Sequence, residues 1–323
     1  MDPRIPEFLG TSEVPVKLTS SRSVLSFLIS VAFLQATSEN SARAQQHLSE
    51  DRANEGQPQA SSLPSAPGNE LPFRIVDGYL ILVEGAIGTR THLKFLLDTG
   101  ASMSILDTKI ADGMNLRRES AESFNFDRKL AWDQAAIPEV RFGPITAADT
   151  VMLVGPLAKY SEFARNVDAI IGLDLLYLHD FTIDYASKKI IFQSSATPPA
   201  QVRSEAPISG LTLLIQVQGH PVRLIVDTGF PGILLFEERL FARAPELRST
   251  GTVYNVMLGE RLRAKATTLR NVTIGPTSKD APVLLAQAPP PEILPGIDGV
   301  AGIAALKARR VHFNFMEKRL SWE

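Results

Sequence analysis

Two long stretches of the chain repeat one pattern of apolar strands, turns and glycines in the same register. In each stretch an apolar segment runs into the tripeptide Asp-Thr-Gly, at Asp98 in the first stretch and at Asp227 in the second. An apolar-apolar-Gly motif ends 74 residues after Asp98, at Gly172, and 75 residues after Asp227, at Gly302. Self-similarity held over about a hundred residues indicates two copies of one structural unit.

Each copy consists mainly of short segments rich in Val, Ile, Leu and Phe, separated by turns of Gly, Pro and Asp. Closing strands are predicted 11 residues after each motif glycine, around Ile183 and Phe313, and a basic turn then leads into a last short strand. Two helices are predicted, at Leu173 to Leu178 and at the matching position, Ala304 to Arg309. The sequence therefore predicts an all-β architecture with small helices.

The N-terminal part of the chain has the features of an export signal. A basic segment precedes the apolar run Val24 to Leu34, and the small residues of Ala42-Arg43-Ala44 follow. The run is too short to span a bilayer as a helix, but it fits the apolar region of a signal peptide. We expect a signal peptide over residues 1–44, cleaved after Ala44, and a secreted or periplasmic protein without stable membrane insertion. An uncleaved membrane anchor is the alternative.

Composition divides the remaining chain into two folded regions and two linkers. Residues 45–70 are rich in Ser, Ala, Gln, Pro and Glu, and a shorter polar stretch with prolines lies between the two repeats. Such segments bury too little apolar surface to offset the entropy lost on ordering. The predicted boundaries are a linker at 45–70, a first domain at 71–196, a second linker at 197–207 and a second domain at 208–323.

Charge and composition exclude several classes of site. The 323 residues carry a formal net charge of -2, which gives no electrostatic reason to expect nucleic acid as a partner. The chain has no cysteine, which excludes disulfides, thiolate nucleophiles and cysteine-ligated metals. Its five histidines are scattered without the spacing of metal ligands. We therefore expect neither a metal nor another cofactor.

The motifs together resemble those of the pepsin and retropepsin superfamily of aspartic proteases. The resemblance rests on apolar-apolar-Asp-Thr-Gly followed by apolar-apolar-Gly in each copy, and it covers roughly residues 72–193 and 208–323. It implies two tandem retropepsin-like β-domains forming a pepsin-like bilobal pseudo-dimer, with one aspartate from each domain at their interface. It also implies an aspartic endopeptidase acting on peptides or unfolded proteins, as a monomer with an internal pseudo-twofold axis.

Asp98 and Asp227 are the candidate catalytic residues. Two carboxylates held close together cannot both ionise cheaply, so they share a proton. The ionised carboxylate can then act as a general base toward water, while the protonated one polarises the scissile carbonyl. An isolated Asp-Thr-Gly is more often a plain turn after a strand, but two matches in aligned repeats favour the catalytic interpretation.

The residues around the aspartates are predicted to support the two loops. Gly100 and Gly229 lack a Cβ, so the backbone can turn tightly and approach the carboxylates. The resemblance implies that the hydroxyls of Thr99 and Thr228 cross-link the loops. The remaining predicted support residues are Ala101, Ser102, Phe230, Gly172 and Gly302.

The second loop departs from the family pattern at Phe230, where the family usually has Ala, Ser or Thr. A large ring there could crowd the aspartates, which favours a first alternative, a noncatalytic peptide- or protein-binding module on the same fold. A second alternative is an obligate homodimer. Neither Ala101 nor Phe230 offers a hydroxyl to the adjacent carboxylate, so we expect a working pH that is weakly acidic or neutral.

Two hairpins are candidate flaps over the cleft, since a protease of this class must cover its substrate and exclude water. They are Phe124 to Trp132 and Val253 to Arg263, and the alternative is that both are ordinary surface hairpins. The Pro-rich run Ala288 to Pro295 is predicted to be a loop.

Overall fold

The computed structural model describes residues 26–27, 68–125, 128–159, 163–192, 201–203, 212–247, 252–258, 260–289, 294–315 and 317–323. Nearly all of the predicted signal peptide and of the 45–70 linker lies outside these residues, so both stay predictions. None of the helices within these ranges is long and apolar enough to cross a membrane.

The chain folds mainly into β-strands, which confirms the predicted all-β class. A short strand, β1 (Ser26–Phe27), comes first. The following strands, up to the middle of the chain, are β2 (Glu70–Val76), β3 (Leu80–Ile87), β4 (Arg90–Leu97), β5 (Ile105–Asp107), β6 (Glu119–Asn125), β7 (Arg128–Phe142), β8 (Ile145–Gly155), β9 (Ala169–Ile171), β10 (Phe181–Asp184) and β11 (Lys189–Phe192).

The rest of the chain continues in the same manner. Its strands are β12 (Gln201–Arg203), β13 (Thr212–Val217), β14 (His220–Asp227), β15 (Ile233–Phe236), β16 (Thr252–Leu258), β17 (Glu260–Ile274), β18 (Thr277–Ala286), β19 (Gly299–Gly302), β20 (Arg310–Asn314) and β21 (Arg319–Trp322). The helices are α1 (Thr108–Gly113), α2 (Leu173–Leu176) and α3 (Glu237–Arg243), with 3-10 turns at Leu157–Lys159, Phe163–Asn166, Pro245–Leu247 and Ile303–Leu306.

The same strand arrangement surrounds both Asp-Thr-Gly motifs. In the first half β4 runs parallel to β9, β9 pairs antiparallel with β5, and β5 runs parallel to β8. In the second half β14, β19, β15 and β18 pair in the same order and with the same directions. The repeat seen in the sequence is therefore a repeat of strand pairing, with an aspartate at the end of the equivalent strand in each half.

Strands of the two halves pair directly. β10 lies antiparallel to β20, with Thr182 opposite His312, and the local strand order is β12-β21-β20-β10-β11-β2. The rings of Phe181 and Phe313 stack across this junction with centroids 4.9 Å apart. Residues 201–203, inside the predicted second linker, form β12 and extend this order by pairing with β21. The predicted domain boundaries themselves stay a prediction.

The predicted closing strands are confirmed at β10 and β20, and both candidate flap hairpins form as β6–β7 and β16–β17. The helix predicted from Leu173 to Leu178 is shorter, since α2 ends at Leu176. The one predicted from Ala304 is a 3-10 turn, which ends at Lys307 with a φ of 52°.

The sequence analysis missed α1 and α3, which follow β5 and β15 at equivalent places in the two halves. Each is too short for a clear helical periodicity. Asp107 nevertheless caps α1, because its side chain accepts a hydrogen bond from the Lys109 N–H at 2.9 Å.

Candidate active site

Asp98 and Asp227 emerge at the ends of two buried strands. The residues before them, such as Leu96, Leu97, Ile225 and Val226, are almost fully buried. Strands that are buried on both faces consist of such continuous apolar runs and lie at the centre of a sheet. The Asp98 N–H donates to the Ile171 carbonyl at 3.0 Å, so the neighbouring strand fixes the start of the loop. Both aspartates are themselves completely buried.

The two threonines join the loops by reciprocal hydrogen bonds. The Thr99 hydroxyl donates to the Val226 carbonyl at 2.9 Å, and the Thr228 hydroxyl donates to the Leu97 carbonyl at 2.7 Å. Each hydroxyl also accepts the backbone N–H of the other threonine, at 3.0 Å for Thr99 N–H and 3.1 Å for Thr228 N–H. The cross-link implied by the resemblance is thus present. Four buried bonds fix the position of one aspartate relative to the other.

Each loop glycine lies against the carboxyl group of the opposite loop. A Cβ built on Gly100 would lie 2.4 Å from Asp227 Oδ2, and one built on Gly229 would lie 2.9 Å from Asp98 Cγ. A side chain at either position would collide with the aspartate across the junction. The glycines also donate locally, from Gly100 N–H to Asp98 Oδ1 at 2.8 Å and from Gly229 N–H to Asp227 Oδ1 at 2.6 Å. Both glycines are therefore required for the close approach of the two carboxyl groups.

The electrostatic environment favours protonated carboxyl groups. Burial raises the pKa of Asp98 to about 6, although hydrogen bonds from Asp227, Gly100 and Ala101 act in the opposite direction. Burial also raises the pKa of Asp227 well above its ordinary value, and repulsion from Asp98 adds to the effect. The Oδ2 atom of each carboxyl group is buried and has no hydrogen-bond partner among the described residues. A pair with these properties retains one proton where isolated aspartates have lost theirs.

Phe230 points into the second half, away from any open surface. Its side chain is only 1% exposed and belongs to a cluster of buried apolar residues, here called the second-half cluster: Ile225, Phe230, Leu234, Phe236, Ala264, Ala286, Leu294, Ile297 and Val300. Ala101 occupies the equivalent place in the first half, in a cluster here called the first-half cluster: Leu80, Leu82, Leu96, Ala101, Ile105, Ala121, Trp132, Leu153, Leu157, Val167 and Ile170. The large ring fills a core instead of occupying exposed space.

The two motif glycines lie where the chain passes closest to the loops. A Cβ on Gly172 would lie 2.8 Å from the Ala101 carbonyl oxygen, and one on Gly302 would lie 1.8 Å from the Phe230 carbonyl oxygen. The predicted close passage is confirmed at both positions. Ser102 is half-buried beside Ala101, and its Oγ has no hydrogen-bond partner among the described residues.

Sequence reasoning missed a pair of buried aspartates that anchor the strands carrying the site. Asp168 Oδ2 accepts the Lys94 N–H at 2.8 Å, and Asp298 Oδ2 accepts the Arg223 N–H at 2.8 Å. Each aspartate also donates its own N–H back to the carbonyl of the same partner. The signal was available, because Asp168 and Asp298 each stand four residues before the motif glycine.

Asp174 and Asp184 carry structural contacts, in line with the sequence analysis. The Ser104 hydroxyl donates to Asp174 Oδ1 at 2.7 Å, and the same hydroxyl accepts the Gly172 N–H. Burial raises the pKa of Asp174. Asp184 Oδ2 accepts from Arg310 Nε at 2.7 Å, which ties β10 to β20. No three His, Asp or Glu side chains within the described ranges come together as metal ligands do.

Comparison with known protein families gives one match. Residues 83–175 match the family model described as aspartyl protease, and this range contains both Asp98 and Gly172. The match supports a relation of the chain to the aspartic protease superfamily, with a hydrolase of the protease type as its general activity. A search among curated proteins returned no match.

Proposed function

We propose that the chain is an aspartic endopeptidase that hydrolyses peptide bonds with a water molecule activated between Asp98 and Asp227. The observation that carries the proposal is the pair of Asp-Thr-Gly loops, cross-linked by the hydroxyls of Thr99 and Thr228 around two buried carboxyl groups. The family match over residues 83–175 supports it independently for the first loop. Peptides and unfolded proteins are the proposed substrates.

The proposed reaction uses the single proton that the pair retains. The ionised carboxylate takes a proton from water as the water oxygen attacks the scissile carbonyl carbon, and the protonated carboxyl gives its proton to the carbonyl oxygen. In the second step the C–N bond breaks, the leaving nitrogen takes a proton from the pair, and one hydroxyl of the diol returns a proton to it. The pair ends with the one proton it had at the start. Because the pair titrates as a unit, neither aspartate is given a fixed role.

The burial of Phe230 argues for catalysis and against the alternative of a noncatalytic binding module. That alternative depended on a ring crowding the aspartates, whereas this ring is 1% exposed and contributes to the second-half cluster. The N–H donors of Gly100 and Gly229 remain directed at the two carboxyl groups.

Access to the pair requires a movement of the surrounding chain, since both carboxyl groups are completely buried. The hairpins β6–β7 and β16–β17 are the proposed flaps, each a long antiparallel pair at an equivalent position in its half. Opening of such hairpins admits substrate, and their closure excludes water from the reaction.

The proposal includes a monomer and an exported protein. The direct pairing of β10 with β20 within one chain supports an internal pseudo-dimer in place of an obligate homodimer. The order of basic, apolar and small residues in the first 44 positions supports a signal peptide. Light scattering measures the first point, and N-terminal sequencing of the exported protein measures the second.

The test of the function is cleavage of an unfolded protein by the purified chain across a series from pH about 3 to about 8. Asp98→Asn and Asp227→Asn run alongside the wild type, and each is expected to abolish cleavage. Asp149→Asn is the matched control, because Asp149 is exposed and its φ of 51° suits asparagine. Cleavage that survives in either active-site variant contradicts a shared pair. A wild type that cleaves nothing at any pH returns the binding-module alternative.

A further inference from the structure

Tyr79 is held at the junction of the two halves by a tight hairpin turn. The turn joins β2 to β3 through Asp77 and Gly78, whose φ angles are 50° and 81°. Two successive positive φ angles with the sequence Asp-Gly form the turn that matches the twist of a two-residue hairpin. The Tyr79 N–H closes it by donating to the Val76 carbonyl at 3.2 Å. The backbone therefore fixes where the tyrosine ring begins.

The ring packs against the cores of both halves. Tyr79 contacts the first-half cluster, which contains Ala101, and also the second-half cluster, which contains Phe230. These clusters lie directly behind the two Asp-Thr-Gly loops, since Ala101 and Phe230 follow the loop glycines. The side chain is nevertheless only partly buried. One part of the ring thus bridges the halves beside the loops, and another part stays accessible.

The electrostatic environment gives the same location. The pKa of Tyr79 is raised by burial first, then by the negative charges of Asp77, Asp227 and Asp98. Interaction energy falls with distance, so the phenol lies within range of both catalytic carboxyl groups. A ring that touches both halves, senses both carboxyl groups and keeps an accessible part lies at the edge of the cleft that they share.

The second half has no counterpart to this ring. If the register of β13 and β14 is continued toward Asp227, the equivalent position is Ser209, and residues 204–211 contain no aromatic residue. The cleft therefore has an aromatic wall on one side of the aspartates that the repeat does not supply on the other.

We propose that Tyr79 is a specificity-determining residue, whose ring forms the wall of one subsite next to the catalytic pair and limits the size of the apolar side chain bound there. The proposal rests on the endopeptidase function. Because the ring belongs to one half only, the size limit applies on one side of the scissile bond. The side chains bound on the other side are selected independently of Tyr79.

The experiment compares cleavage of a mixed peptide library by the full chain and its variants, with products sequenced by mass spectrometry. Tyr79→Ala is expected to admit larger apolar side chains at one position on one side of the cleaved bond, and Tyr79→Trp to restrict that position to smaller ones. Size selection in an apolar pocket is worth about 10- to 200-fold in kcat/KM per methylene-sized change. Shifts of this order, in opposite directions, are expected for the two variants.

Tyr185→Ala is the matched control. Tyr185 is another partly buried tyrosine, with its ring 5.9 Å from that of Phe73, and burial alone raises its pKa. Its removal is expected to leave the cleavage profile unchanged. Circular dichroism verifies the fold of every variant.

Three results overturn the inference alone, with an active wild type: an unchanged profile in both Tyr79 variants, an equal change on both sides of the bond, or loss of the fold in both variants, which makes Tyr79 a core residue only. A wild type that cleaves no peptide refutes the endopeptidase function, and the inference with it.

Discussion

Removal of one catalytic carboxyl group is expected to stabilise the fold at neutral pH. Burial raises the pKa of Asp98 from 3.8 to about 6, a change of about 2 units, and each unit corresponds to about 1.4 kcal/mol. A raised folded-state pKa gives a stability contribution that is complete below the unfolded value and is lost as the pH rises through the folded value. At pH about 7.5 the wild type therefore carries a penalty of about 3 kcal/mol, which Asp98→Asn removes.

The assay is urea unfolding at pH about 3.5 and about 7.5, followed by tryptophan fluorescence. Trp132 and Trp322 report from the two halves of the chain. Asparagine retains the oxygen that accepts the Gly100 N–H, so the substitution changes the charge and little else. Asp98→Asn should gain about 3 kcal/mol at the higher pH and nothing at the lower one. A variant that is less stable than the wild type at pH about 7.5, or one whose change is equal at both pH values, would refute the reasoning.

Asp184→Asn is the control with the opposite sign. Burial works to raise the pKa of Asp184, but the hydrogen bond from the Ser187 N–H and the ion pair with Arg310 outweigh it and lower that pKa. A lowered folded-state pKa gives stability that is present above the unfolded value and lost as the pH falls through the folded one. Asp184→Asn should therefore destabilise the protein near neutral pH and have a smaller effect in acid.

Three further predictions concern the same site. Cleavage should increase as the pH rises through about 6, where the first carboxyl of the pair ionises, and fall again at higher pH as the second one ionises; a kcat/KM maximum near pH 2 contradicts this. Thr228→Val should destabilise the chain by about 1–3 kcal/mol in urea unfolding, because the Leu97 carbonyl loses its donor, whereas Thr228→Ser should retain most of the stability. Phe230→Ala should cost about 3–5 kcal/mol by the same assay, and a loss below about 1 kcal/mol would place the ring outside the core.

The repeat in the sequence was sufficient to predict the centre of the site. Asp98 and Asp227, their glycines and the closing strands follow from motif register, because each depends on residues within its own copy. The direction of the Phe230 ring could not be predicted, since it depends on the volume available in the second half, including the distant Leu294 and Ile297. Core packing is a property of all the facing side chains together.

The connection of Arg239 to the Pro-rich loop shows the same limit. Its guanidinium donates to the carbonyls of Pro289 and Leu294, at 2.9 and 2.7 Å, and its charge lies 5.2 Å from the centre of the Phe236 ring. The sequence predicted a loop over this run but gave no sign of its anchor. The partners of Arg239 are carbonyl oxygens, which every residue carries, so the amino-acid types at the loop do not reveal them.

The two halves differ most where the repeat is closest to the catalytic pair. The first half has a polar contact between Ser104 and Asp174 beside its loop, whereas the second half has Ile233 and Ala304 at those places, with Gly302 N–H bonded to the Gly232 carbonyl. Equal folding of both halves thus coexists with unequal surroundings for two chemically identical aspartates. Unequal surroundings separate the pKa values of a coupled pair, and this separation is the condition for one carboxyl to hold the proton while the other accepts one from water.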